Sequence, residues 1–168
     1  MLGINIGPNK NTQNRLEDYL ICFRKFYNIA DYITINISSP NTENLRSFHN
    51  ESELRELLKS INEEKKLLNS KVPLVVKISP DIHEKEVSII SDLLLKFDIS
   101  AVIISNSTDT TRENLININK LEKGGLSGKP LEKKSNNLIS KFYEILKGKV
   151  LIIGVGGVDS GKSAYEKF

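Results

Sequence analysis

The sequence predicts an α/β fold in which helices cover a parallel β-sheet. The first observation is that short apolar segments alternate along the 168 residues with longer segments whose apolar residues recur at helical spacing. The second is that the short segments are almost continuously apolar, which is typical of parallel strands in covered sheets. No linker or low-complexity stretch interrupts the pattern, so we expect a single domain, 1–168, with its own core.

Each element of this fold follows from one of the two patterns. Strands are predicted at 2–6, 32–37, 72–79, 101–105 and 150–155. Helices are predicted at 16–30, 50–69, 81–97 and 138–148, with the start of a further helix after Gly157. Asn50 with Glu53, and Asp81 with Glu84, have the spacing of a capping box, which predicts where the second and third helices begin.

Composition excludes several classes of function. Hydrophobic residues make up 39% and charged residues 27% of the chain, and the net charge of +3 is spread without a dense basic block, so nucleic acid is not an expected partner. Cys22 is the only cysteine and lies among aromatic residues at helical spacing, which predicts a buried structural thiol. His49 and His83 are isolated near predicted helix starts, which favours surface or capping roles over metal binding, so no metal site is expected.

The sequence shows neither a membrane-spanning segment nor a leader. No apolar run reaches the about 18 residues that suggest a transmembrane helix. The first residues already resemble a strand rather than a signal peptide. These residues by themselves are therefore expected to be soluble.

Two architectures accommodate the predicted parallel strands. An open doubly wound sheet needs no further strands and places its site at one switch point. A TIM (β/α)8 barrel has eight strands and brings all of their carboxyl ends to one mouth. The length favours the open sheet, whereas polar or glycine residues at every strand end favour the barrel.

The segment after the second strand is the most informative. Residues 36–42, Asn-Ile-Ser-Ser-Pro-Asn-Thr, place two carboxamides and three hydroxyls at the exit of an apolar strand. Such groups can hold a substrate, but Ser-Pro-Asn is also ordinary turn chemistry, so the residues alone leave both interpretations open. Lys77 lies inside the third strand, where its charge needs compensation. We favour an anionic ligand over a lysine that extends to solvent at the strand end.

Three later segments carry further chemistry. Residues 104–108, Ile-Ser-Asn-Ser-Thr, repeat the combination of carboxamide and hydroxyls, which suits either a planar ring or a capped polar loop. Residues 124–130, Gly-Gly-Leu-Ser-Gly-Lys-Pro, suit a phosphate or flavin, although a plain turn has the same composition. Residues 156–163, Gly-Gly-Val-Asp-Ser-Gly-Lys-Ser, match the P-loop pattern, but no later strand supplies a carboxylate for Mg²⁺. A P-loop nucleotide-binding protein is therefore a disfavoured alternative, and Asp159 also breaks the dinucleotide-binding pattern.

Taken together, these motifs resemble the dihydroorotate dehydrogenase family. The segments at 36–42, 76–81, 105–108, 124–131 and 152–160 come in the family's order and at close to its spacing. The segments at 3–7 and 18–22 match as well, so the resemblance covers essentially the whole chain. It implies an FMN-containing TIM barrel, of which about five of the eight β/α units lie in this chain.

The resemblance implies oxidation of dihydroorotate to orotate in pyrimidine (UMP) synthesis. A base removes the C5 proton while C6 passes a hydride to flavin N5. The base is cysteine in the soluble class and serine in the quinone-reducing class at the inner membrane, so Ser39 is the implied catalytic base and indicates the latter class. The implied substrate-binding residues are Asn36, Asn41, Asn106 and Ser107. The implied FMN-binding residues are Asn5, Asn36, Lys77, Ser105, Gly128 and Gly157.

The resemblance also gives an expectation about length. It begins at the family's third barrel strand and stops after the seventh, so the quinone site and the membrane-binding segment are expected outside these residues. Five strands of a barrel have two uncovered edges, so we expect poor folding without further barrel segments or a complementing chain. An inactive truncated remnant is the alternative to an active enzyme.

Overall fold

The computed structural model describes residues 1–39, 45–110, 112 and 115–168. Within these residues the strands are β1 (Gly3–Ile6), β2 (Tyr32–Asn36), β3 (Leu74–Lys77), β4 (Ala101–Ile104) and β5 (Leu151–Gly154). The helices are α1 (Arg15–Phe26), α2 (Glu51–Leu67), α3 (Glu84–Lys96), α4 (Glu132–Leu146) and α5 (Gly161–Tyr165). Short 3₁₀ turns at Leu45–His49, Ile118–Leu121 and Lys129–Leu131 lie in the loops and were not predicted. Every predicted strand and helix is confirmed, with somewhat different bounds.

The strands form one parallel sheet in the order β1-β2-β3-β4-β5. Each strand lies beside its predecessor in the sequence, and over the described residues this order never reverses. A doubly wound sheet reverses its order at the switch point, so the open-sheet alternative is excluded. Parallel strands that follow one another in sequence, each connected to the next through a helix, are the arrangement of consecutive units in a β/α barrel.

Helices α1 to α4 cover one face of this sheet. They pack side by side in chain order, and their apolar residues form one core with the strands. The strand residues that point towards them and are at most 2% exposed are Ile6, Ile33, Ile35, Leu74, Val76, Val102 and Ile104. We call this side the helix-covered face.

The opposite side, here called the open face, receives the alternate residues of each strand. In the strand register these are Gly3, Asn5, Tyr32, Thr34, Asn36, Val75, Lys77, Ala101, Ile103, Leu151 and Ile153. At the edge strand β5, Leu151 and Ile153 are 69% and 41% exposed. The continuous apolar strands therefore do not have helices on both faces, because the inner face of a barrel strand packs inside the barrel rather than against helices.

The start of α3 differs from the prediction. Its N-cap is His83, whose backbone N–H donates to Glu86 Oε2 at 2.6 Å, so the capping box lies two residues later than Asp81 and Glu84. Asn50 caps α2, as expected, but its side chain makes no capping hydrogen bond. Asp81 is thus left for another role.

The structure also bears on the thiol of Cys22 and on membrane-spanning helices. Cys22 is half-buried on α1, and burial, together with the nearby Asp18 charge, raises the pKa of its thiol. A protonated thiol is a poor nucleophile, which supports a structural role. None of the helices among the described residues combines the length and apolar character that crossing a bilayer requires.

Candidate active site

The carboxyl ends of the parallel strands place most of the predicted residues along one edge of the sheet. Asn36 and Lys77 are the last residues of β2 and β3 and are aligned in the register. Ser105, Asn106 and Ser107 follow β4 directly. The structure therefore brings together residues from the ends of three neighbouring strands, as a site at the mouth of a barrel requires.

Lys77 places a cation at the end of β3, on this edge. Its side chain is half-buried on the open face, beside Asn36 on β2 and Ile103 on β4. Over the described residues no carboxylate lies within ion-pair distance of its ammonium group. A cation partly removed from water and lacking a counter-charge is costly unless a ligand compensates it. Asn5 lies on the same face of β1, where it is exposed.

Asn36 has a fixed orientation. Its Oδ1 accepts hydrogen bonds from the Ser38 backbone N–H at 3.2 Å and the Ser38 hydroxyl at 2.7 Å. Because a backbone N–H can only donate, the atom that it meets must be the amide oxygen. The Nδ2 group of Asn36 consequently remains the part that can donate to a ligand.

The backbone at this strand end is held from the helix-covered face. The hydroxyl of Tyr19, which is fully buried on α1, donates to the Asn36 carbonyl at 2.7 Å. Its ring packs edge-on against Phe48, with 5.7 Å between the centroids. Burial raises the pKa of Tyr19, so it stays a neutral donor. Tyr19 lies within the predicted helix 16–30 but was not predicted as a residue of the site; its hydroxyl among apolar residues at helical spacing was the available signal.

Ser39, the predicted base, follows the buried Ser38 and is half-buried. It lies just beyond β2, on the same edge as Lys77 and Asn106. Asn41, predicted to bind substrate, lies outside the described residues. The roles of both residues stay predictions.

The loop after β4 is attached to the strands on both of its sides. The Asn106 backbone N–H donates to the Ile78 carbonyl at 3.0 Å, and the Ser105 N–H donates to the Val155 carbonyl at 3.1 Å. Ser105 is buried, and its hydroxyl donates to the Asn106 carbonyl at 3.1 Å. The Asn106 and Ser107 side chains are half-buried. The strand edge is therefore continuous from β3 to β5.

The two glycine-rich stretches meet near the start of α4. Gly128 has φ 75° and precedes the 3₁₀ turn that leads into this helix. Gly157, with φ 75°, lies against the first residue of α4, since a Cβ there would come within 2.4 Å of Glu132 Cβ. The α4 N-terminus has no side-chain cap, but the N–H groups of Leu131 and Glu132 donate to the carbonyls of Gly128 and Lys129 in the preceding 3₁₀ turn.

The P-loop-like segment has a different local structure. Ser160 caps α5, and its hydroxyl accepts from the Ser163 backbone N–H at 3.1 Å. The Ser163 hydroxyl donates to Asp159 Oδ1 at 2.9 Å and is thus used within the cap. This hydroxyl would have to bind Mg²⁺ in a P-loop, so the structure gives that hypothesis no support.

His49 contradicts its prediction as a surface or capping residue. It is 2% exposed and its Nε2 accepts from the Ser79 backbone N–H at 3.4 Å. Burial lowers its pKa to about 4; the Glu86 charge and a hydrogen bond to the Arg46 backbone partly oppose the shift, whereas the Arg46 charge adds to it. A neutral imidazole therefore joins the turn after β2 to the loop after β3.

The prediction that Asp81 caps α3 is also wrong. Its carboxylate is buried and pairs with Arg46 and Lys134 rather than capping a helix. No local pattern in the sequence indicated these partners.

Comparison with known proteins agrees with this geometry. The family model described as dihydroorotate dehydrogenase matches residues 1–168. The chain is 49% identical to the dihydroorotate dehydrogenase (quinone) of Wigglesworthia glossinidia brevipalpis and also 49% identical to that of Buchnera aphidicola from Schizaphis graminum. These matches cover 99% of the chain and 51% and 52% of the relatives, so the chain spans about half of their length.

Solved structures give the same result for the fold. The crystal structure of Eimeria tenella DHODH in complex with ferulenol matches with a TM-score of 0.95 at 34% identity, covering 99% of this chain and 49% of that one. The ligand-free structure from the same organism matches with a TM-score of 0.94. The sheet is thus part of a TIM barrel, and the chain belongs to the dihydroorotate dehydrogenase family.

Proposed function

We propose that the protein carrying this chain oxidises dihydroorotate to orotate with FMN and passes the electrons to a quinone at a membrane. Family membership and the names of the quinone-dependent relatives support this activity. The observation that carries the proposal is the single edge shared by Ser39, the half-buried Lys77 and the amide-bearing loop at Asn106.

The residues on this edge fit a flavin. Lys77, which has no carboxylate partner among the described residues, offers a cation for the negative charge that the reduced ring would carry, and Asn5 and Asn36 offer amides on the same face. Gly128 and Gly157 leave backbone N–H groups near the α4 N-terminus for the phosphate, and Ser105 lies between these two regions in sequence. When bound, FMN would supply the acceptor for the hydride that leaves C6 of dihydroorotate.

The chain's own residues would perform the proton chemistry. Ser39 would take the C5 proton as general base, passing its hydroxyl proton to a neighbouring acceptor, because a serine hydroxyl at its ordinary pKa is a weak base. Asn36 would donate from Nδ2 to a substrate oxygen, since its Oδ1 is occupied by Ser38. Asn41, Asn106 and Ser107 would bind the remaining polar edges of the ring and its carboxylate.

The experiment compares Ser39→Ala with Ser88→Ala in the purified protein loaded with FMN. Ser88 is an exposed serine on α3 and serves as the matched control. We expect Ser39→Ala to lower dihydroorotate oxidation about 100-fold or more while its visible flavin spectrum is unchanged, because only the proton acceptor is lost. Full activity in Ser39→Ala would reject Ser39 as the base. A wild-type protein that binds no FMN would reject the flavin enzyme and favour the inactive remnant.

A further inference from the structure

The carboxylate of Asp81 lies at the centre of a polar cluster among the strand-end loops. Its side chain is 8% exposed and forms an ion pair with Lys134 through Oδ1. Oδ2 lies 3.1 Å from Arg46 Nη2. The Thr108 hydroxyl donates to Oδ1 at 2.6 Å, and the Asp109 backbone N–H donates to Oδ2 at 3.2 Å. The Thr110 hydroxyl also donates to Oδ1, at 3.2 Å, so a single side chain has five partners.

These partners belong to separate parts of the chain. Arg46 lies in the 3₁₀ turn that follows the loop of Ser39. Thr108 is the residue directly after Ser107, and Lys134 lies in the first turn of α4. Asp81 itself comes shortly after β3. One carboxylate therefore joins the loops after β2, β3 and β4 to the helix that follows.

Further bonds close the cluster on itself. Arg46 Nη1 contacts both carboxylate oxygens of Asp109, at 2.9 Å and 3.0 Å. Lys134 Nζ also donates to Thr110 Oγ1 at 3.0 Å. The two aspartates and the two cations of this cluster balance in formal charge. Removing the central carboxylate would leave Arg46 with Asp109 alone and the partly buried Lys134 ammonium without a carboxylate partner among the described residues, which costs more than losing an exposed pair.

Asp81 stays ionised throughout the neutral range. Burial raises the pKa of its carboxyl, but hydrogen bonds from Lys134, Thr108 and Asp109, with the Lys134 charge, bring the pKa down to about 2. The cluster is therefore complete under ordinary conditions. Its bonds are directional, so they define one relative arrangement of the loops rather than a general attraction between them.

We propose that Asp81 is a positioning residue that fixes the loop after β2 relative to the loop after β4, so that Ser39 and Asn106 face one ligand. The identity of that ligand rests on the proposed function, whereas the coupling of the two loops does not. Asp81 is not part of the aligned strand-end pair of Asn36 and Lys77. Both of its carboxylate oxygens accept hydrogen bonds from residues of the cluster. It acts through other residues and not on the substrate.

The first test is amide hydrogen exchange in Asp81→Asn, which keeps the shape and removes the charge. We expect exchange to rise about tenfold or more in peptides covering both 45–50 and 105–110, because both loops lose a charged partner. The α2 peptide 54–61 should be unchanged. Asp92→Asn, an exposed aspartate on α3, is the control. A rise in only one loop, or in neither, would overturn the proposal.

Thr108→Val provides a second variant in case Asp81→Asn does not fold. It keeps the volume and removes only the hydroxyl that donates to Asp81. If the cluster couples the two loops, amide exchange should rise in the 45–50 peptide as well as in the 105–110 peptide. A response confined to 105–110 would show that Thr108 acts locally and that the loops are not coupled.

An activity measurement separates positioning from stability. Turnover with dihydroorotate per bound flavin should fall about 10- to 100-fold in Asp81→Asn, because small misplacements of reacting groups are costly. Reoxidation of the reduced flavin by a quinone should be unchanged, and Lys134→Arg should keep more turnover than Lys134→Met. Equal losses in both half-reactions would reject a positioning role. A wild-type protein without dihydroorotate oxidation would reject the proposed function, while the exchange data would still decide on Asp81.

Discussion

The helix-covered face of the sheet and the carboxyl edge of the same sheet are held by different forces. On the helix-covered face, apolar residues such as Ile35 and Val102 are fully buried against helices. At the carboxyl edge, the loops are joined by the Asp81 ion cluster and by the His49 hydrogen bond to Ser79. Apolar packing is non-directional, whereas these polar contacts each need one geometry.

The difference follows from what each region must do. Packing on the helix-covered face depends on buried apolar area and on filled volume, so different apolar side chains of similar size can satisfy it. The carboxyl edge must leave polar groups available for a ligand, and a site of that kind cannot be covered by an apolar core. Its loops are therefore positioned by buried charges and neutral hydrogen-bonding groups that contact one another rather than the ligand. The two regions should respond differently to cavities, to pH and to added bulk.

The largest effect should come from a cavity on the helix-covered side. Phe142 on α4 is fully buried, and Phe142→Ala should lower the free energy of unfolding by about 3–5 kcal/mol, because both transfer energy and packing are lost. Urea denaturation at neutral pH measures this change in the free energy of unfolding. The neighbouring Tyr143 is 62% exposed, so Tyr143→Ala is the matched control and should change stability little. Equal effects of the two substitutions would contradict the assigned faces.

The stability lost between pH 6.5 and 4 should come chiefly from His49 at the carboxyl edge. The pKa of His49 is about 4 in the folded protein, against its ordinary value of 6.5 in the unfolded chain, so the unfolded chain binds the additional proton between these values. Stability should therefore be complete above pH 6.5 and fall by roughly 3 kcal/mol as the pH drops to 4. Asp81, whose pKa is lowered to about 2, should add a loss only below its usual value of 3.8.

Replacing His49 isolates its share of this effect. His49→Gln keeps an acceptor for the Ser79 N–H but does not titrate. The stability that the protein loses between pH 6.5 and 4 should therefore be smaller by most of the roughly 3 kcal/mol assigned to His49. His83→Gln is the control, because His83 is the exposed N-cap of α3. Urea denaturation at several pH values gives both curves. An unchanged slope in His49→Gln would show that other groups cause the pH dependence.

The contrast between the helix-covered face and the carboxyl edge also explains which features could be predicted from the sequence. The helix-covered face was predictable because its signal is local: Leu54, Leu57, Leu58 and Ile61 recur at helical spacing, and all four are fully buried. The edge residues Asn36, Lys77 and Asn106 could be identified because polar groups at the ends of apolar strands stand out. Their assignment to particular ligands came from the family resemblance, since spacing alone left a plain turn equally open.

The residues that support the edge could not be identified from the sequence. Asp81 has the spacing of a helix cap, but five partners from other parts of the chain outweigh one capping hydrogen bond. His49 is an isolated histidine whose acceptor role depends on Ser79, thirty residues away along the chain. Both roles depend on which loops meet, and local patterns do not contain that information.

The smallest of these effects tests the steric fit of the edge. Gly157 has φ 75°, and a Cβ there would come within 2.4 Å of Glu132 Cβ. Gly157→Ala should therefore cost about 1–3 kcal/mol of unfolding free energy, through backbone strain and displacement of α4. Gly161→Ala is the control, because a Cβ at Gly161 meets nothing within 4 Å and its φ is not positive. That substitution should be neutral or stabilising by about 0.4–1 kcal/mol, since it restricts the unfolded chain. Urea denaturation compares the two, and similar outcomes would mean that α4 does not pack against the turn after β5.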